Sequence, residues 1–166
     1  NNKISVVTGY IAKDSNGETA TLGRNGSDYS ATIVADLISA GQVTLWTDVD
    51  GIYSADPRLV PTARKLHRLP NCVAKELGSL GNPVLHVNTL KPLDSESIHL
   101  HVRSSFDVDN TATEIGDFGQ IAQQELCITS LNDLVLTKFE TPSNAIFTEH
   151  VLKLKPIHFD KETNEV

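Results

Sequence analysis

Methionine is absent from the 166 residues, and cysteine occurs only twice, at Cys72 and Cys127. Two distant cysteines without histidines at metal-ligand spacing argue against a disulfide framework and a zinc site, and suit free thiols in a reducing compartment. Long apolar runs are missing too. None approaches the roughly 18 residues that a membrane span needs, and no signal peptide opens the chain. Positive charge is scarce: 14 Lys and Arg against 21 Asp and Glu leave a formal charge of -7. Without a basic face a protein cannot neutralise a run of phosphates, which argues against general nucleic-acid binding.

What is there suits a globular fold. Apolar residues make up 39% and charged residues 21%, a balance far from that of disordered chains. The length serves one domain, or one domain and part of a second. The opening Asn1-Asn2-Lys3-Ile4-Ser5-Val6-Val7 starts in mid-strand without methionine, so a piece of a longer protein is expected.

Residues 4–11 are β-branched and predict a strand. Asn16-Gly17 is a hairpin-turn signal, with residues 18–22 returning. From Asp28 the apolar period becomes helical: Tyr29, Ile33 and Leu37 share a stripe, flanked by Val34 and Ile38. Ser27 is the expected N-cap and Gly41 the expected stop. A short strand over 43–46 then runs into a polar loop over 47–58. Strand, helix, strand in this order predicts a mostly parallel sheet, whose ligands bind beyond the carboxyl ends of the strands. Helices are expected over 72–80 and 85–93, and a strand over 98–102. Residues 104–124 are polar and poor in large apolar side chains, and read as a boundary. Strands over 126–129 and 134–139, a helix over 144–154 and a strand from Pro156 form a second, smaller unit.

Two segments carry chemistry. The first is Gly23-Arg24-Asn25-Gly26-Ser27-Asp28 at a helix start. Glycines let a backbone approach a ligand, the helix N-terminus favours an anion, and Arg24 suits a carboxylate or phosphate. Asp28 can accept from an ammonium group, so the pair fits an amino acid. The same hexapeptide also reads as a glycine turn with a capped helix and a surface arginine. The second segment is the loop Thr47-Asp48-Val49-Asp50-Gly51-Ile52-Tyr53-Ser54-Ala55-Asp56-Pro57-Arg58. Carboxylates beyond a strand can orient a Mg²⁺-nucleotide or its ribose, Tyr53 can stack on a base, and Arg58 can reach a phosphate. It reads equally as a charged loop with a local Asp56–Arg58 pair. His99 and His101 share a strand face but lack further ligands. His86 suits capping or packing.

Residues 22–31 together with Trp46 and the loop that follows it closely resemble the aspartate kinases. The loop motif is shared across the amino-acid kinase superfamily, including glutamate 5-kinase and uridylate kinase relatives; the hexapeptide is typical of aspartokinase. Val84-Leu85-His86 and Val102-Arg103-Ser104-Ser105-Phe106 are similar to aspartokinase segments in the same order. Asn25, where simple aspartokinases usually carry Gly, and the ending after Phe139 are most similar to bifunctional aspartokinase–homoserine dehydrogenases of the methionine-branch type.

The resemblance implies an α/β architecture: a partial amino-acid kinase (carbamate kinase-like) fold over 1–106, a linker over 107–124, and a truncated ACT-like, ferredoxin-like βαβ unit over 125–166. It implies transfer of the ATP γ-phosphoryl group to the side-chain carboxylate of L-aspartate, with Mg²⁺ arriving on the nucleotide. Arg24, Asn25, Gly26, Ser27 and Asp28 would form the aspartate side. Thr47, Asp48, Tyr53 and Arg58 would form the nucleotide side. A cytoplasmic homodimer or larger homo-oligomer is implied, without nucleic-acid or membrane partners. Two departures matter. The family's Lys-X-Gly-Gly-Ser phosphate-binding segment is absent, so the chain alone is expected to be inactive. Pro83 stands where many aspartokinases carry a nucleotide-contacting lysine. The competing expectation is a regulatory and oligomerisation module without nucleotide binding.

Overall fold

The computed structural model describes residues 3–94, 98–119 and 127–130. The chain divides into two units, Asn1–Thr129 and Ser130–Val166. The ACT-like elements expected over 134–139, 144–154 and from Pro156 lie outside the described residues.

Residues 3–9 are irregular, with Ile4, Val6 and Val7 exposed. The strand expected over 4–11 is reduced to β1 (Ile11–Lys13), which pairs antiparallel with β2 (Thr19–Thr21). β-branching favours a strand only where a partner offers its backbone; among the described residues none pairs with 3–9. The hairpin turn falls where Asn16-Gly17 placed it. The Asp14 carboxylate accepts from the Asn16 and Glu18 amides, both at 2.9 Å, and closes the turn from inside.

Helix α1 (Gly26–Leu37) begins two residues before its expected start. Asn25, not Ser27, is the N-cap, at φ 55° and ψ 28°. Asparagine tolerates this left-handed geometry better than most residues, so the chain turns into the helix there and Tyr29 N–H donates to the Asn25 carbonyl at 3.0 Å. The helix stops before Gly41. Ser39, at φ 50°, completes a Schellman motif in which Ala40 N–H donates to Ala35 O at 2.8 Å and Ser39 N–H to Asp36 O at 3.0 Å. The buried face is Thr32 and Ala35, whereas Leu37 is 76% exposed and Ile38 70%. Small side chains let this helix close on its neighbours, while Tyr29, Ile33 and Val34 are half-buried and only the C-terminal end of the apolar stripe is exposed.

The main sheet has the order β3 (Gln42–Thr47), β7 (His99–Ser104), β8 (Thr113–Gly116), β6 (Arg68–Pro70). β3 and β7 run parallel, as do β6 and β8, while β7 and β8 are antiparallel. The mostly parallel sheet is therefore found, but β1 belongs to the separate hairpin. β4 (Ile52–Tyr53) and β5 (Lys65–Leu66) form a small antiparallel ladder beside it. Helices α2 (Asn71–Ser79) and α3 (Val87–Leu90), with a 3-10 turn over Lys91–Asp94, occupy the two predicted helical stretches. Leu66, Leu69, Leu85, Leu90, Leu93, Leu100, Val102 and Ile115 fill the core. Each such burial contributes about 1.5–3 kcal/mol before entropic costs.

Two further expectations change. Thr113–Gly116 lies in the stretch read as a linker, yet it is an inner strand with Thr113, Ile115 and Gly116 buried. A four-residue strand with a single large apolar residue disappears in an average over a long polar window. Of the strand expected over 126–129, the described residues 127–129 are irregular, and Ile128 N–H donates to Ser54 O at 2.8 Å.

Candidate active site

The hexapeptide sits at the start of α1. The N–H groups of Ser27 and Asp28 precede the first helical hydrogen bond and point out of the helix end, as an anion site requires. The exposed Arg24 side chain makes no hydrogen bond or ion pair among the described residues. Asn25 Nδ2 donates to Asp28 Oδ2 at 3.2 Å, so the cap residue orients the carboxylate. Beneath them lies a support that the sequence did not disclose. Tyr10, at φ 73°, donates its N–H to Ser30 Oγ at 2.9 Å, and Ser30 Oγ donates to Gly26 O at 2.8 Å. A Cβ on Gly26 would stand 2.8 Å from Tyr10 Cδ2 and 3.0 Å from Leu22 Cβ. Gly26 is thus required by packing from below, whatever approaches from above.

The second segment lies at the carboxyl end of β3. Thr47 Oγ1 donates to Asp48 Oδ1 at 2.9 Å, and Ser105 N–H donates to Thr47 O at 2.8 Å, tying the strand end to the end of β7. Asp50 is the organiser of the loop. It accepts from the Tyr53 hydroxyl at 3.1 Å, from Lys65 Nζ at 3.3 Å and from Asn110 Nδ2 at 3.3 Å. Partial burial pushes the Asp50 carboxyl up, but the Lys65 ammonium and the Tyr53 hydroxyl outweigh it and leave the group below its ordinary value. The Tyr53 phenol is raised, by partial burial and by the adjoining carboxylate. Arg58 is paired with Asp56, Nε to Oδ1 at 3.0 Å and Nη2 to Oδ2 at 2.7 Å. Those bonds lower the Asp56 carboxyl and raise the guanidinium. The local-pair reading of Arg58 is the arrangement present.

Among the described residues, no hydrogen bond or ion pair joins 23–28 to 47–58. Their proximity follows from element geometry. α1 packs on β3 and the two are joined only through residues 38–41, so they run antiparallel. The 12 residues of α1 rise about 18 Å, and the six of β3 about 20 Å. The helix start and the strand end therefore finish at about the same level.

Other sequence candidates resolve structurally. His86 caps α3, its Nδ1 accepting from Asn88 N–H at 3.2 Å. Around Pro83, Asn82 Oδ1 accepts from the Val84 and Leu85 amides, both at 3.0 Å, so the segment is a side-chain-stabilised turn. His99 Nδ1 lies 2.7 Å from Glu114 Oε1. Among the described residues no three His, Cys, Asp or Glu are grouped to hold a metal ion, and no disulfide joins Cys72 and Cys127. An open pocket of about 420 Å³, lined by Pro70, Cys72, Lys75, Gly116 and Phe118 among others, lies where β6 and β8 end. Because β8 is antiparallel to β7, that is the opposite end of the sheet from Thr47.

Residues 1–104 match the model of the amino acid kinase family. The bifunctional aspartokinase/homoserine dehydrogenase 2 of Escherichia coli K12 is 43% identical over 142 residues, 86% of this chain and 18% of that protein. The lysine-sensitive aspartokinase 3 of the same organism is 40% identical over 107 residues, 64% of this chain and 24% of that protein. The crystal structure of E. coli aspartokinase III with aspartate and ADP matches with a TM-score of 0.63 and 38% identity, over 68% of this chain and 25% of that one. The chain thus spans between 18% and 25% of the length of these relatives.

Proposed function

Because the chain belongs to the amino acid kinase family, we propose that its two half-sites are the aspartate side and the nucleotide side of an aspartate kinase. The observation that supports this reading is the shared level of the α1 start, with its exposed Arg24 and free helix N–H groups, and the β3 end, with its carboxylate-bearing loop. The known complex of a related aspartokinase with aspartate and ADP supports the reading.

In this reading Arg24 grips an aspartate carboxylate through parallel hydrogen bonds, and the Ser27 and Asp28 amides add donors at the helix end. Asp28, held by Asn25, accepts from the ammonium group. Gly26 keeps the backbone low enough for the ligand to seat. On the other side Thr47 and Asp48 hold the nucleotide, Tyr53 lies near the base and ribose, and Arg58 reaches the phosphates by giving up part of its pairing with Asp56. The side-chain carboxylate oxygen of L-aspartate forms a bond to the γ-phosphorus as the bond to the ADP oxygen breaks, giving 4-phospho-L-aspartate. Positioning and charge neutralisation carry such a transfer. Mg²⁺ is expected on the nucleotide, where it neutralises phosphate charge; the scattered carboxylates suit that better than a protein cage. The parent protein is read as a cytoplasmic homodimer or larger assembly in lysine, threonine and methionine biosynthesis.

The 166 residues contain no Gly-Gly pair and hence no Lys-X-Gly-Gly-Ser segment. Without that lysine the chain alone is expected to bind but not to turn over. Calorimetry with MgATP tests the reading: binding that weakens in Asp48→Ala and Arg58→Ala supports it. Absence of binding together with concentration-dependent association supports the oligomerisation module instead. An ATP- and aspartate-dependent acyl phosphate, trapped as the hydroxamate, would contradict the expected inactivity.

A further inference from the structure

We propose that Lys65 is a positioning residue for the nucleotide-side loop, holding Asp50 and Gly51 so that Tyr53 and Asp48 stand in one fixed arrangement. The proposal rests on the reading of residues 47–58 as the nucleotide loop.

Lysine ordinarily keeps its ammonium in water and loses much rotamer freedom when covered. The Lys65 side chain is only 13% exposed. It is covered because it grips the loop in two ways. Its ammonium donates to Asp50 Oδ2 at 3.3 Å. Its stem lies against Gly51, where a Cβ would stand 2.8 Å from Lys65 Cε and 2.5 Å from Thr113 Oγ1. Gly51 has φ 151°, a backbone geometry that side-chain-bearing residues rarely adopt. Tyr53 and Lys65 are register partners across β4 and β5, so both side chains stand on one face, and the Tyr53 hydroxyl and the Lys65 ammonium meet on the same carboxylate.

The base of this clamp is tied into three strands. Thr113 Oγ1 accepts from Ile52 N–H at 2.8 Å and donates to Leu66 O at 2.6 Å, joining β4, β5 and β8. Asn110 closes the clamp from the segment before β8, donating to Asp50 Oδ2 at 3.3 Å. Lys65 touches neither Asp48 nor Thr47 in this network. Its effect on a nucleotide passes through Asp50, Gly51 and Tyr53.

The test titrates the whole chain with MgATP, and separately with L-aspartate, by calorimetry. Lys65→Met is expected to weaken MgATP about tenfold and to leave the L-aspartate affinity unchanged. Lys65→Arg, which keeps the charge, is expected to restore most of the MgATP affinity. Asn110→Ala, which removes one bond from a segment outside the core ladder, serves if Lys65→Met does not fold, and is expected to weaken MgATP about threefold. If the unmodified chain fails to bind MgATP, the nucleotide reading fails and the proposal falls with it. If the unmodified chain binds and the variants bind as tightly, the positioning role alone is overturned. A folded Lys65→Arg that loses as much as Lys65→Met, or equal losses for MgATP and L-aspartate, also overturn it.

Discussion

Gly26 shows how a binding motif can be fixed by what lies beneath it. The glycine lies within the proposed aspartate-side segment, but its lack of a side chain is already required by the Tyr10 ring at 2.8 Å and Leu22 at 3.0 Å. Gly26→Ala is therefore expected to destabilise the chain by about 1–3 kcal/mol from overpacking, offset by less than about 1 kcal/mol of gained helix propensity. Urea unfolding reads this, and an unchanged midpoint would contradict it. Asn25 is explained at the same scale: the left-handed cap accepts Gly or Asn, so the departure from the glycine usual in simple aspartokinases leaves the turn intact. Asp50 carries a pH dependence. Its carboxyl lies below the ordinary 3.8 in the folded chain, so its contribution to stability is full above that value and is lost as pH falls through the depressed folded value. The stability gap between the unmodified chain and Asp50→Asn should narrow on acidification, read from thermal midpoints between pH 7 and about pH 2. A gap that widens or stays constant would contradict the Asp50–Lys65 assignment.

Among elements, α1 was legible as a helix because its apolar residues recur at helical spacing. Its buried face was not legible. Periodicity weights large side chains, so Leu37 and Ile38 drew the eye, whereas the contact is made by Thr32 and Ala35. The cap was misplaced for a different reason: Asn and Ser are equally good caps by type, and it is the left-handed backbone tolerated at Asn25 that decides where the chain turns. Strand β8 escaped because Thr113–Gly116 offers only Ile115 as a large apolar residue. The Schellman stop of α1 gives a test at this scale. Ser39 sits at φ 50°, a geometry that costs a non-glycine residue about 1–2 kcal/mol. Ser39→Gly should raise stability by up to about 1 kcal/mol after glycine's own entropic cost. Equilibrium unfolding checks this, and a loss of stability would mean that the Ser39 side chain holds a contact worth more than the strain.

For the whole molecule, the two segments proposed as half-sites stand out in the sequence because glycine, arginine and aspartate cluster where a helix starts and a strand ends. The order strand, helix, strand pointed to one end of a sheet, but β1 and β2 form a separate hairpin, and it is the packing of α1 on β3 that levels the two segments. What stayed hidden was everything that acts across long sequence distances. Lys65, Asn110 and Thr113 look like any lysine, asparagine and threonine until the sheet brings them to Asp50 and Ile52, and Tyr10 and Ser30 are unremarkable until the hairpin folds under α1. The central claim, that one chain presents an amino-acid half-site and a nucleotide half-site side by side, is tested most directly by following backbone amide resonances while adding L-aspartate and then MgADP. The account predicts shifts centred on Gly23, Arg24, Ser27 and Asp28 with the first ligand, and on Thr47, Asp48, Tyr53 and Arg58 with the second. Shifts scattered over the surface, or confined to the opposite end of the sheet around Pro70 and Gly116, would contradict it.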